Sequence, residues 1–289
     1  MFNRPFVRCF ATLKDIQLRL KSVKNIEKIT KSMKMIAGTK LSKAQKALDA
    51  AKAFSQGALA SQESMQIERQ TQPKTYILCS SDRGLCGAIH SSLVKSLKNT
   101  LTQPSEGKTP VENAKIVVLG EKAKVIVARE LKKNILYSFA NIGRATPTFW
   151  EACAIVQVLA NDAKAEEGAL SQEAAPCIVF NKFISVLAYE SCYRPVYSVQ
   201  EFLAAKNLKA FEFAEEQMEN YALFQATCSL YGALVEGHVA EMAAKRTSMD
   251  NATKNAGEII GKLTMTYNRT RQSVITNELV DIITGAAAL

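Results

Sequence analysis

The stretch best placed for chemistry is Ser80-Ser81-Asp82-Arg83-Gly84-Leu85-Cys86-Gly87, which follows a short apolar run and precedes a helix-like one. A glycine-bearing turn in that position can present backbone N–H groups to a phosphate. It has neither the Gly-Lys-Ser/Thr ending of a P-loop nor the G-x-G-x-x-G of a dinucleotide site. The stretch therefore reads as a structural turn, and a phosphate role would leave Cys86 without a task. The two histidines, His90 and His238, lie far apart in the chain without clustered Cys, Asp or Glu at ligand spacing. A zinc site does not follow from them. Cys86 with His90, four residues on, is the one nucleophile–base pairing on offer, and it lacks a third, orienting group. The seven cysteines form no CxxC pair and no disulfide-framework spacing. They read as buried free thiols in a reducing compartment. No catalytic residue, cofactor or metal is expected.

The other chemical candidate is a basic series: Lys14, Arg19, Lys21, Lys24, Lys28, Lys31, Lys34, Lys40 and Lys43. It could track phosphates, but few aromatic residues are interleaved with it, which weakens a single-strand nucleic-acid site built on stacking. A solvated helix face is the simpler account of it. Net charge is +10, so acidic partners are plausible: nucleic acid, an anionic membrane face or acidic protein loops. The excess is local. Residues 12–60 hold 11 Lys or Arg against 3 acids, and residues 212–289 hold 6 against 10. Such unevenness fits a protein interface at least as well as general nucleic-acid binding. No apolar run approaches the ~20 residues that span a bilayer. The first ten residues, MFNRPFVRCF, are basic and aromatic without an acid. They read as a mitochondrial presequence segment, with a mature chain starting at Ala11, against the alternative of ordinary N-terminal sequence.

Both ends of the chain must be long helices. Neither contains a proline, and both keep apolar residues at spacings of three and four. The first stripe runs Leu13, Ile16, Leu20, Val23, then Ile26, Ile29, Met33, Ile36, a phase slip that would overwind a coiled coil. It continues as Ala44, Ala47, Ala51, Phe54 and Ala58. The second stripe runs Val239, Met242, Met249, Ala256, Ile260, Leu263, Tyr267 and Val274, with Arg246, Thr253 and Thr270 in the remaining seam positions. Helical from about Glu212 to Thr284, it would outreach its antiparallel partner by several turns. From Ile282 to Leu289 the chain carries no charged side chain. Either something encloses this tip or it frays.

Between the helices, strand-like runs at 75–79, 115–119 and 135–139 alternate with helix-like runs at 88–101, 121–133 and 147–164, with Pro147 in the first turn of the last. Residues 177–180 and 183–193 read as two further extended segments. This order predicts an α/β fold: a small, mainly parallel sheet with helices on its faces. Residues 103–110 and 162–175 read as loops.

Three stretches are specific enough to carry a family resemblance. Ile16 to Ala37 (IQLRLKSVKNIEKITKSMKMIA) closely resembles the N-terminal signature of the ATP synthase γ-subunit family. Ser81 to Gly87 resembles its strand–helix turn, and Tyr267 to Leu279 (YNRTRQSVITNEL) its C-terminal signature. The resemblance implies a long antiparallel coiled coil of N- and C-terminal helices, residues 11–60 and 211–289, with an inserted Rossmann-like α/β domain at 74–200. Residues 1–10 stay apart as presequence. It implies a non-catalytic central-stalk rotor on the matrix side of the mitochondrial inner membrane, peripheral to it. The ATP chemistry would belong to partner β subunits. The implied partners are the α and β subunits, the δ and ε stalk subunits and the c-ring, without nucleic acid or membrane insertion. The resemblance places Met33 against an acidic β-subunit loop, with Lys31 and Lys34 free to pair with the same acids. It places Arg271 and Gln272, within the Arg269-containing motif, against β subunits with Asn277 and Glu278 close by. Ile282 and Ile283 would turn within an apolar collar.

Overall fold

The computed structural model describes residues 12–67, 73–102, 114–163, 170, 176–212 and 217–287. The predicted presequence segment, the 103–110 loop and almost all of the 162–175 loop lie outside these. Helix α1 spans Leu13–Met65 and helix α6 spans Met218–Ala287. Between them come β1 (Thr75–Cys79), α2 (Ile89–Thr102), β2 (Lys115–Leu119), α3 (Glu121–Val127), β3 (Ile135–Phe139), α4 (Phe149–Ala163), β4 (Cys177–Phe183), β5 (Tyr189–Pro195) and α5 (Val199–Leu203). The chain divides into two compact units, Met1–Ile36 with Ser248–Leu289, and Ala37–Thr247. Both long helices contribute to both units.

The helix starts are written locally. Thr12 Oγ1 accepts from Asp15 N at 3.3 Å while Asp15 Oδ2 accepts from Thr12 N at 3.1 Å, a reciprocal cap that opens α1. The same device recurs at Thr148 with Glu151 before α4 and at Ser198 with Glu201 before α5. Pro147 therefore sits just outside α4, not in its first turn, because Thr148 supplies the cap. Helix α1 ends where Gln66 turns left-handed at φ 51°, the conformation that terminates helices.

In the first unit the two helix segments run antiparallel. Lys34 Nζ reaches Asp250 at 2.6 Å, Thr253 Oγ1 donates to Thr30 Oγ1 at 2.9 Å, and a Cβ on Gly257 would lie 4.0 Å from Glu27. Sequence numbers rise on one strand of the pair as they fall on the other. The inward stripe of α1 here is Ile16, Leu20, Val23, Glu27, Thr30 and Lys34, an unbroken alternation of three and four. The predicted phase slip is absent, and Ile26, Ile29 and Ile36 point outward. Polar residues hold seam positions because the opposite helix supplies their partners.

The second unit carries the sheet, ordered β3-β2-β1-β4-β5, parallel except for β5. One face is buried by α2 and α3 through Leu93, Leu97, Ala123 and Val127. The other is buried by α4 and α6 through Ile155, Leu159, Leu230 and Leu234. Strands covered on both faces read as apolar runs, as in Lys-Ile-Val-Val-Leu of β2. The last two strands form a hairpin, β5 starting six residues later than the predicted 183–193 segment. Within this unit Leu41, Ala44, Leu48 and Ala51 of α1 pack on Val235, Val239, Met242 and Ala243 of α6. The stripe continues through Leu48 and buried Ser55, while Phe54 is 45% exposed. Arg246, predicted for the seam, is exposed.

Candidate partner interface

The first unit holds all the residues with a predicted interface role. Lys31 is exposed, and Met33 and Lys34 are half-buried at the edge of the helix pair. The charge of Lys34 is engaged inside the pair: its ammonium, with that of Lys254 at 3.2 Å, holds the Asp250 carboxyl below the usual carboxylate range. On α6, Arg269, Arg271, Gln272, Asn277, Glu278, Ile282 and Ile283 are all exposed. Every residue from Arg271 to Ala287 is exposed. The antiparallel register exhausts α1, which begins at Leu13, near that point. A bare helix segment with Val274, Ile275, Leu279, Val280, Ile282 and Ile283 open to solvent is built to be covered by something else.

Sequence reasoning missed a second apolar surface. Ile26, Ile29 and Ile36 are 52–57% exposed and Met35 67%, all on the outward side of α1. The signal was available: an uninterrupted three-four count through Glu27, Thr30 and Lys34 leaves these four outside the seam.

The second unit holds the Ser80–Gly87 turn, at the carboxyl end of β1. The sheet order reverses between β1 and β4, the place where doubly wound folds receive ligands. Here three of the turn's backbone N–H groups are committed to the protein's own bonds. Ser80 N donates to Leu119 O, Asp82 N to Ile142 O at 3.1 Å and Arg83 N to Ser81 Oγ at 3.2 Å. Asp82 Oδ1 accepts from Glu121 N at 2.8 Å, closing the start of α3, and Arg83 donates to Arg144 O. His90 fastens the turn's first half. Arg83 O can only accept, so Nε2 donates to it at 3.0 Å and Nδ1 accepts from Ser80 Oγ at 2.9 Å. Burial holds that imidazole below its ordinary pKa, in the neutral form this bonding requires.

Glu241 of α6 reaches into the crevice. It is 4% exposed and accepts hydrogen bonds from Ser81 and, at 3.6 Å, from Cys86 Sγ. Burial outweighs these donors and pushes its carboxyl up to about 7. Gly143, at φ 78°, lets a third chain segment close over the pair: a Cβ there would stand 2.6 Å from Ser81 Cβ. Burial first, then Glu241, pushes the Cys86 thiol to about 12, which rules it out as a thiolate nucleophile at neutral pH. The Cys79 thiol is likewise pushed to about 12 and Cys228 to about 11 by burial. No group of three His, Cys, Asp or Glu suited to a metal occurs among the described residues.

Residues 12–289 match the family model described as ATP synthase. The chain is 42% identical over 283 residues to the rat mitochondrial ATP synthase F(1) complex subunit gamma, covering 96% of this chain and all of that one. It is 39% identical to the mitochondrial ATP synthase subunit gamma of Yarrowia lipolytica, over 98% of this chain and 94% of that one. Among solved structures it resembles a chain of the Euglena gracilis mitochondrial ATP synthase OSCP/F1/c-ring assembly, with TM-score 0.78 at 17% identity over 96% and 94% of the two chains. A chain of the Tetrahymena thermophila mitochondrial ATP synthase central stalk/c-ring gives TM-score 0.62 at 24% identity, over 78% and 99%. Both likenesses are of fold.

Proposed function

This chain belongs to the family of mitochondrial ATP synthase γ subunits, and from that premise we propose that it is the central-stalk rotor of a proton-driven F-type ATP synthase. It would couple rotation of the c-ring to conformational cycling of the catalytic β subunits, on the matrix side of the inner membrane. No helix among the described residues is long and apolar enough to cross a membrane. The carrying observation is the bare end of α6, where seventeen consecutive residues from Arg271 to Ala287 are exposed and six of them are large and apolar. In isolation such a segment is a liability. Inside a collar of α and β subunits it is a bearing.

In this reading the chain catalyses nothing, and ATP is made and hydrolysed on the β subunits. Support comes from the crevice at the sheet's switch point, which Glu241 and Ser81 occupy from within. Helices α1 and α6 form the shaft, and the domain inserted between them meets the δ and ε subunits and the c-ring. Coupling requires only that different faces of the shaft bias the three catalytic sites differently as it turns. Lys31, Met33, Arg269, Arg271, Gln272, Asn277 and Glu278 supply such faces. Lys34 contributes chiefly through Asp250, which sets the charge pattern beside Met33. Exposed ion pairs with β-subunit acids would each contribute about 0–1 kcal/mol, weak enough for a surface that slides.

Native mass spectrometry of the complex recovered with this chain from detergent-solubilised mitochondria tests the proposal. One copy beside three α and three β subunits is expected. Recovery with RNA, or as a free homo-oligomer, would overturn it.

A further inference from the structure

Within the first unit, α1 carries two stripes that could face α6, and they lie one residue apart. The stripe in the seam is Glu27, Thr30 and Lys34, and its neighbour is Ile26, Ile29 and Met33, continuing to Ile36. Each polar residue directly follows an apolar one, so a turn of α1 about its own axis by about 100° exchanges the two stripes. Burial of apolar surface taken alone favours the second stripe. Instead Ile26, Ile29 and Ile36 are 52%, 55% and 57% exposed. Across the seam α6 offers Met249 and Ala256, both buried, an apolar surface on which either stripe can pack.

Directed contacts hold the polar stripe inward. Lys34 Nζ lies 2.6 Å from Asp250 Oδ1, and Lys254 Nζ lies 3.2 Å from Asp250 Oδ2. The hydroxyl oxygens of Thr30 and Thr253 are 2.9 Å apart, and Thr30 Oγ1 also donates to Glu27 O at 3.0 Å. Polar residues at seam positions specify how two helices meet, at a cost in stability. The side chains of Lys34 and Asp250 remain 41% and 30% exposed, and ion pairs so placed are individually weak. A weak clasp set against the burial of three isoleucines leaves two arrangements close in free energy.

We propose that residues 26–36 of α1 form a two-setting segment: Asp250, by gripping Lys34 and Lys254, selects the setting with the isoleucines outward, and without that grip the segment turns by one residue and buries them. The turned setting costs a local overwinding between Val23 and Ile26, the three-residue step that apolar periodicity alone predicts here, and a compensating unwinding after Ile36. It sends Glu27 and Lys34 to the surface. Helix α1 thus shows solvent either an apolar face or a charged one, and one carboxylate decides which. The device lies within the chain itself and does not depend on what the chain assembles with.

The test is disulfide trapping in the purified full chain, with each link identified by peptide mass spectrometry so that the native cysteines do not interfere. Thr30→Cys with Thr253→Cys reports the setting seen, since those two oxygens are 2.9 Å apart. Ile29→Cys with Thr253→Cys reports the turned setting. With Asp250 intact the first link should form and the second should not. Adding Asp250→Lys, which sets another cation beside Lys34 and Lys254, should reverse that preference. Lys34→Met puts an apolar residue in the seam while Lys254 still pairs with Asp250, so it should leave the first link in place. Simple loosening of the helix pair would weaken the first link in both variants without strengthening the second, and that result overturns the proposal. A first link that persists in Asp250→Lys overturns it too. Should Asp250→Lys fail to fold, Asp250→Asn decides on the same terms: the share of the second link should rise by about threefold or more, and an unchanged share overturns the two-setting segment.

Discussion

Two glycines show how tightly the Ser80–Gly87 turn is held. Gly120 sits at φ 99° with Ser81 backbone atoms 2.6–2.7 Å from where a Cβ would stand, and Gly143 at φ 78° meets the Ser81 side chain. Alanine at either position is strained and collides with atoms that cannot yield. Gly120→Ala should cost roughly 2 kcal/mol or more by chemical denaturation. Gly57 lies inside α1 with nothing within 4 Å of a Cβ, so Gly57→Ala should stabilise by about 0.5–1 kcal/mol. The same measurement reads the proton balance of the site. Glu241, raised to about 7, contributes stability fully present below the unfolded-state value and lost as pH rises toward 7. His238, lowered to about 4 by burial and then by Lys40, contributes the reverse: stability present above about 6.5 and lost as pH falls toward 4. Over the shared interval the two slopes oppose. Glu241→Gln should therefore gain stability from pH 4.5 to 6.5, and His238→Asn should lose it, in urea midpoints of the full chain. Parallel profiles for the two variants would refute this assignment. None of it was legible in the sequence. The turn read as structural from what its motif lacks, but Glu241 follows it by about 150 positions, and no local pattern marks a buried carboxylate.

At the scale of elements, the strands and most helices were legible because β1, β2 and β3 are short, continuous apolar runs with clear flanks. The hairpin of β4 and β5 was not, since Phe183–Tyr189 carries apolar residues through its turn: Ile184 and Leu187 are 58% and 82% exposed. The α1 seam was misread for a related reason. Periodicity counts apolar side chains, whereas Thr30 and Lys34 enter the seam through bonds to Thr253 and Asp250 that only the folded pair reveals. Strand β5 is tied to α6 by Arg194, which donates to Ser229 O at 3.1 Å, lies 4.8 Å over the Phe180 ring and stands 3.9 Å from buried Glu236. Gly232 leaves the room: a Cβ would approach Arg194 Nη1 to 3.1 Å. Arg194→Met removes the partner of a buried carboxylate and should destabilise by on the order of 3 kcal/mol. Adding Glu236→Leu should restore part of that loss. A double variant no more stable than the additive sum would show that Glu236 does not depend on Arg194.

For the whole molecule, the distribution of exposed apolar side chains separates what folds the chain from what engages others. Ile29 and Ile36 face outward on α1 and contribute little to its own packing, whereas Ile260 and Leu263 stay partly buried along the α6 seam. Changes at the two pairs should fail differently. Ile29→Asp with Ile36→Asp should leave the denaturation midpoint of the full chain within the ±0.5 kcal/mol usual for surface positions. Recovery of this chain with α and β subunits should drop, each lost contact costing about 1 kcal/mol or more if these residues are buried in the assembly. Ile260→Pro should break α6 itself, at about 3 kcal/mol or more. A rotor with a broken helix transmits torque poorly, so ATP synthesis driven by the proton gradient should fall while ATP hydrolysis by the assembled complex persists. Both activities are measured on the same membranes, so loss of assembly lowers them together and loss of coupling lowers only synthesis. Unchanged synthesis in a normally assembled Ile260→Pro complex would mean that α6 does not carry the torque, and the rotor assignment would lose its mechanical basis.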